Sequence, residues 1–233
     1  MTCSINTAMP CPTDAPVDCI LNGDCTQVLT TLPSAYADIC VSDPPYLVGY
    51  RDRTGRTIAN DKHPDVIVAA FAEVYRVLKP NTLCISFYGW NHVDAFFHAW
   101  RGAGFKPVGH LVWRKTYSSR VGFLKARHEQ AYLLAKGFPA LPTTPLEDVQ
   151  AWDYTGNVFH PTEKSTQVLS PLIESFSQPG HLVLDPFCGA GSTALAAAMT
   201  GRRYLGIELD ASYCTIARER IARWQAHHQS RCA

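Results

Sequence analysis

"LVLDPFCGAGSTALAAAMTG", residues 182–201, reads as a strand, a turn carrying Gly189 and Gly191, and a helix. The apolar run His181–Asp185 has the length and Leu/Val content of a buried strand. Glycines in the turn let the backbone bend tightly and approach a ligand. The helix expected over Ser192–Thr200 begins with unpaired N–H groups that suit an anion. Seventeen residues past Gly191, Glu208 ends the next apolar strand, Tyr204–Glu208, where a carboxylate can accept hydrogen bonds from both hydroxyls of a ribose. A short glycine turn alone is a weak sign, but strand, turn, helix, strand and acid in succession are a much stronger one.

A nicotinamide-dependent dehydrogenase shares this signature, but its nucleotide motif is followed by further βα units that complete the sheet. Only 25 residues follow Glu208. The remaining strands must lie upstream, in a doubly wound α/β sheet whose nucleotide-binding half comes last. Candidate strands are Val17–Leu21, Asp38–Ser42, Leu83–Phe87, Val108–Trp113 and Ala131–Ala135, which with the two above make seven. Between them, Ile67, Phe71, Val74 and Leu78 recur with helical spacing before Pro80. Asn91 is placed to cap a second helix through Trp100, ending near Gly102 or Gly104. Thr166–Phe176 and Ala211–Trp224 supply two more. Core packing is the ordinary reading of their aromatics.

With 233 residues, 46% apolar and 18% charged, the chain suits one soluble domain over residues 16–226, flanked by tails at 1–15 and 227–233. There is no apolar run long enough for a membrane span, and the first 15 residues lack the core of a signal peptide. Nine cysteines without a CxxC pair suggest neither a disulfide framework nor a metal site, and a reducing cytoplasm fits them best.

In such sheets ligands sit at the carboxyl ends of the strands, which places Asp43-Pro44-Pro45-Tyr46 beside the glycine turn. Neither proline can donate a hydrogen bond, and Pro45 holds Pro44 extended. Ionised Asp43 and the Pro44 carbonyl then offer two acceptors without a competing donor, and Tyr46 adds a flat face. The set suits an NH2 group on a planar ring, with the ring stacked on tyrosine. Such an amine is a poor nucleophile because its lone pair is delocalised. Holding its hydrogens out of plane returns the lone pair to nitrogen for in-line attack on a methyl carried by a sulfonium, the carboxylate stabilising the charge that forms. The plainer alternative is a Pro-Pro turn with a capping Asp.

Asp43–Tyr46, followed later by Asp185-Pro186-Phe187-Cys188-Gly189-Ala190-Gly191, resembles the DNA amino-methyltransferases that use S-adenosylmethionine, in their β-type, circularly permuted order. The resemblance runs from about Val17 to Trp224 and implies a mostly parallel, seven-stranded, Rossmann-like methyltransferase sheet. It implies that Asp43, Pro44, Pro45 and Tyr46 bind and activate the target amine. It also implies a cofactor site made of Asp24, Cys25, Asp43, His160, Pro161, Lys164, Asp185, Phe187, Cys188, Gly189, Gly191, Glu208 and Leu209. Within it Asp24 meets the adenine edge, Phe187 the sulfonium region and Glu208 the ribose. His160-Pro161-Thr162-Glu163-Lys164 is similar to the family's HPxxK motif. Ser165 stands where the family usually has proline, which is expected to loosen the helix start there.

An aspartate heading the motif favours adenine in that family, whereas cytosine-specific members more often carry serine. RNA and protein-glutamine methyltransferases use related strings, and a regulator that holds DNA without turnover is a third reading. Net charge of +1 decides nothing, yet Arg114, Lys115, Arg120, Lys125 and Arg127 lie in an acid-free window, so residues 114–128 form a strongly basic loop. Arg51, Arg53 and Arg56 follow the catalytic motif within residues 47–63. Both loops are expected to contact DNA phosphates around a flipped-out adenine. No large recognition insert precedes His160, so sequence reading falls to short loops or to a second subunit of a homodimer. No metal is expected.

Overall fold

The structure, a computed structural model, describes residues 15–50, 55, 61, 64–156, 158–160 and 163–232, without the side chains of 229–232. Arg51, Arg53, Arg56 and Pro161 lie outside the described residues. In chain order the elements are β1 (Cys19–Asn22), α1 (Cys25–Thr30), β2 (Ala37–Ser42), α2 (Pro64–Val77), β3 (Leu78–Phe87), a 3-10 turn (Trp90–His92), α3 (Val93–Ala103) and β4 (Lys106–Arg114). There follow β5 (Arg120–Val121), β6 (Lys125–Ala126), β7 (His128–Lys136), β8 (Val149–Ala151), α4 (Thr166–Phe176), β9 (Leu182–Asp185), α5 (Ser192–Met199), β10 (Arg203–Glu208) and α6 (Ala211–Cys232).

Eight strands form one sheet in the order β1-β10-β9-β2-β3-β7-β4-β8, and β5 with β6 makes a separate hairpin. Only β7 runs against its neighbours, pairing antiparallel with both β3 and β4. The expected seven strands are all present, and β8 is an eighth. Its Val-Gln-Ala core is too short to show any alternation; its pairing with β4, rather than its own composition, makes it a strand. Asn91 falls inside the 3-10 turn, and α3 starts after His92 without a side-chain cap. Its far end meets expectation, since Gly104 takes φ 105° to close the last turn. Pro80 sits in β3, which begins directly where α2 ends at Val77.

Alternation along the central strands feeds two cores, one on each face. Cys40 and Cys84 point to the face covered by α1, α2 and α3, where Phe71, Phe96 and Trp100 are fully buried. Ile39, Val41, Ile85 and Phe87 point the other way, onto Leu169, Leu172, Ala196, Ala197 and Ile221 from α4, α5 and α6. Each large side chain so buried contributes about 1.5–3 kcal/mol. Trp100 meets Phe71 edge-on at 6.2 Å and Phe97 at 5.4 Å, so the first face is held by rings whose edges meet faces.

β2 and β9 are neighbours in the middle of the sheet, with Ile39 opposite Val183 and Cys40 opposite Leu184. Two chain segments far apart in sequence therefore leave the sheet side by side at its carboxyl edge. One carries Asp43–Tyr46, the other Asp185–Gly191. The crevice of a doubly wound sheet opens at such a reversal in strand order.

Candidate active site

The β2 exit is built around the Asp43 carboxylate. Tyr46 donates its hydroxyl to Asp43 Oδ1 at 2.9 Å, and Lys164 donates its ammonium to Asp43 Oδ2 at 2.5 Å. Both oxygens keep a lone pair, so the acid can accept further. Burial pushes the Asp43 carboxyl above the ordinary carboxylate range, with the Lys164 charge and both hydrogen bonds opposing it and the Glu129 carboxylate adding to it. Burial beside Asp43 likewise pushes the Tyr46 phenol well up, so it stays a donor. The Lys164 ammonium lies over the Phe87 ring at 4.9 Å and the Tyr46 ring at 5.5 Å.

Past Tyr46 the chain is clamped by Asp61, which sequence reasoning missed. Asp61 is buried and accepts from the N–H groups of Leu47 at 2.6 Å, Val48 at 3.3 Å and Tyr50 at 2.6 Å. Leu47 and Gly49 both have positive φ, near 60°, a conformation the clamp must hold for a leucine. Gly89 lets this loop settle, since a Cβ there would come within 2.8 Å of the Tyr46 carbonyl.

The glycine turn forms the other wall. Gly189 and Gly191 have φ of 51° and 82°, and a Cβ on Gly191 would stand 2.7 Å from that of Ala217 in α6. Glu208 accepts from Gly189 N–H through Oε2 and from Asp210 N–H through Oε1, each at 2.8 Å. It therefore shapes the turn as well as lining the cleft. Asp24 caps α1, accepting from Thr26 N–H at 2.8 Å. Asp185 is buried and accepts from Phe187 N–H at 3.1 Å; burial, with Asp43 and Glu208 adding to it, pushes its carboxyl up to about 7. Cys25 and Cys188 are buried thiols, the first pushed up to about 12 by burial and by Asp24, so neither is a ready nucleophile.

The expected residues converge. Asp24, Cys25, Asp43, Pro44, Pro45, Tyr46, His160, Lys164, Asp185, Phe187, Cys188, Gly189, Glu208 and Leu209 all line one cleft, and Gly191 lies in the turn beside it. The His160 ring packs on Gly189 and meets Tyr213 edge-on at 4.5 Å. Within that cleft the Lys164 ammonium reaches the acid of the first motif, Asp43. Ser165 is a correction, because instead of loosening α4 it caps the helix, accepting from Gln167 N–H at 3.1 Å and bonding Asp153. Arg220 of α6, also missed, donates to Glu163 at 2.7 Å and to the Ala190 carbonyl at 2.6 Å, tying Glu163 to the glycine turn.

The basic loop divides. Arg114, Arg120, Lys125 and Arg127 are exposed beyond the carboxyl edge. Lys115 is 4% exposed, paired with Glu129 and set over the Trp152 ring at 5.4 Å, so it anchors the loop instead of facing solvent. Among the described residues no helix is long and apolar enough to cross a membrane, and no cluster of His, Cys, Asp or Glu could hold a metal ion.

The N6/N4 DNA methylase family matches residues 37–219, a span that contains both walls of the cleft. YubD of Escherichia coli (strain K12), a protein named as a methylase, is 54% identical over 213 residues, 91% of this chain and 94% of its own. TTHA0409 of Thermus thermophilus superposes with a TM-score of 0.71 at 25% identity, covering 89% of this chain and 95% of the other. The same protein has been solved with S-adenosyl-L-methionine, where the TM-score is 0.66 at 24% identity over 88% of this chain and 94% of the other. PvuII DNA methyltransferase, cytosine-N4-specific, shares the fold with a TM-score of 0.70 at 14% identity over 88% of this chain and 86% of its own. With more than half its length matched, and with the acid-proline motif and the glycine turn facing one another across the cleft, the chain belongs to the N6/N4 family of DNA methylases.

Proposed function

We propose that this protein transfers a methyl group from S-adenosylmethionine to the exocyclic 6-amino group of adenine in DNA, on a base flipped out of the duplex. The carrying observation is the Asp43 carboxylate, partly buried in the cleft that the glycine turn also lines and held from both sides by Lys164 and Tyr46. The residues fit the cofactor: the turn leaves Gly189 without a side chain where the His160 ring approaches, and Asp24 at the start of α1 and Glu208 of β10 line the same cleft. Glu208 is assigned to the ribose, Asp24 and Cys25 to the adenine edge with Leu209 beside them, and Gly189 and Gly191 to the methionine end. Phe187 and Cys188 flank it; His160 approaches Gly189, Pro161 is assigned to the same site from the motif, and Asp185 braces the turn. When bound, S-adenosylmethionine supplies an electrophilic methyl on a positively charged sulfonium.

Asp43 and the Pro44 carbonyl accept the two amine hydrogens and keep the nitrogen lone pair directed at the methyl group. As the N–C bond forms, the bond from that methyl to sulfur would break with its electron pair left on sulfur; the nitrogen becomes positive, and the Asp43 carboxylate stabilises that charge at close range. One N–H proton then leaves, with Asp43 in place to accept it. Tyr46 stacks on the base and keeps Asp43 from turning away. Lys164 is a positioning residue that keeps Asp43 ionised. Arg114, Arg120, Lys125 and Arg127, with Arg51, Arg53 and Arg56, are assigned to phosphate.

Adenine is preferred because aspartate heads the motif; the cytosine reading keeps some support from the shared fold with the cytosine-N4 enzyme. Labelled S-adenosylmethionine, unmethylated DNA and digestion to nucleosides separate them. Label in 6-methyladenine supports the proposal, and label only in N4-methylcytosine overturns it. Asp43→Ala should abolish transfer while cofactor affinity persists. Sedimentation with and without duplex addresses the homodimer suggested by the short loops.

A further inference from the structure

The hairpin between β4 and β7 carries an apolar tip that neither the cleft nor the core uses. Its three-residue turn, Gly122-Phe123-Leu124, is closed by Gly122 N–H donating to the Leu124 carbonyl at 3.1 Å. Phe123 is 109% exposed, Leu124 84% and Val121 69%. Large apolar side chains presented together to water on a projecting tip mark a contact surface.

The hairpin is preformed. Lys115 N–H donates to the Arg127 carbonyl at 2.8 Å, Ser119 N–H to the Ala126 carbonyl at 2.9 Å, and Arg127 to the Thr116 carbonyl at 3.0 Å. Its base is fixed by the ion pair of buried Lys115 with partly buried Glu129, and Glu129 is close enough to raise the Asp43 carboxyl. β4 is parallel to β2 and β3, so its end lies at the same sheet edge as Asp43. Phe87 pairs with Ala131, and Ala131 with Leu111. The strand then continues to Arg114, roughly 10 Å above the level where β3 stops at about 3.3 Å per residue. The tip thus stands above the rim of the cleft, displaced sideways by two to three strand spacings, about 10–14 Å.

Its surroundings select the occupant. Arg120 and Lys125 flank the tip, Arg114 and Arg127 sit below it, all four are exposed, and residues 114–127 contain no acid. Cations around a ring and a branched aliphatic chain complement phosphates around a base stack. We infer that Phe123 and Leu124 form a wedge that enters the duplex and fills the gap left in the stack when the target base moves into the cleft, with Arg120 and Lys125 holding the adjacent phosphates. The inference rests on the base-flipping reading above.

Phe123 touches solvent, so Phe123→Ala should leave the fold intact, which the unchanged thermal transition and cofactor affinity would verify. Once the methylated position has been mapped, kcat/KM is measured on two duplexes, one fully paired and one with an abasic site opposite the target base, where opening the stack costs less. The wedge predicts a roughly 10- to 100-fold loss on the paired duplex for Phe123→Ala with Leu124→Ala, no more than about twofold on the abasic one, and recovery with Phe123→Trp. Arg120→Ala with Lys125→Ala should weaken both duplexes alike and lower the salt dependence by about two phosphate contacts. Equal losses of the Phe123 variant on both duplexes, or no loss on either, overturn the wedge. A wild-type protein that methylates neither duplex overturns the flipping reading first, and the wedge with it.

Discussion

Replacing Lys164 with methionine removes the ammonium from Asp43 and keeps a side chain of similar length. The pair is 2.5 Å apart, and the Lys164 and Asp43 side chains are only 6% and 21% exposed. Removing one partner of a buried pair leaves a charge without compensation, at a cost of about 3–5 kcal/mol. Asp43 retains its Tyr46 bond and some water, which places the expected loss near the lower figure, about 3 kcal/mol. For a domain of this size that lowers Tm by about 6–12 °C. The kinetic effect has a defined sign. Burial already raises the Asp43 carboxyl and Lys164 opposes the rise, while the accepting form is the ionised one. Activity is lost as pH falls through the Asp43 pKa, so Lys164→Met must move the acid limb of kcat/KM to higher pH. Thermal scans and pH–rate profiles of Asp43→Asn, Lys164→Met and the double variant form a cycle. An interaction energy above about 1 kcal/mol is expected for groups in contact. Additive losses, together with an unmoved acid limb in Lys164→Met, would refute the idea that Lys164 tunes Asp43.

Two further substitutions probe the walls of the cleft. Asp185, pushed up to about 7, holds its proton in the folded protein more tightly than in the unfolded chain, so its contribution to stability is full below about pH 4 and is lost as pH rises through 7. Asp185→Asn keeps an oxygen for Phe187 N–H and removes that penalty. Urea titrations should find the variant no worse at pH 5 and more stable at pH 8, by up to about 4 kcal/mol; identical pH dependence for both proteins would count against it. Asp61→Ala orphans the N–H groups of Leu47, Val48 and Tyr50 and should loosen the loop after Tyr46. A loss of about 10-fold or more in kcat/KM for DNA, with cofactor affinity within about twofold of wild type, is expected; equal losses in both would place Asp61 in general stability.

Periodicity alone yielded the sheet strands β1 to β4, β7, β9 and β10 and the long helices, because each buries a stripe or face whose spacing is local. β8 and the Trp90–His92 turn carry no such spacing, since their state depends on what they pair with or follow. The two motifs were likewise legible, as prolines, glycines and acids constrain the backbone wherever they stand. Their partners were not. Lys164 is 121 residues from Asp43, Arg220 is 57 from Glu163, and Lys115 is buried although it sits among exposed cations. Composition marks a lysine as charged, but its role follows from which carboxylate the fold brings within reach. The sequence by itself determined that an acceptor-only strand end and a glycine turn exist in one doubly wound chain. The tertiary structure decided that β2 and β9 lie side by side, that Lys164 and Tyr46 hold Asp43, and that the Phe123 tip is left in water. Pairing across a sheet and burial of charge are long-range terms, set only when distant segments meet.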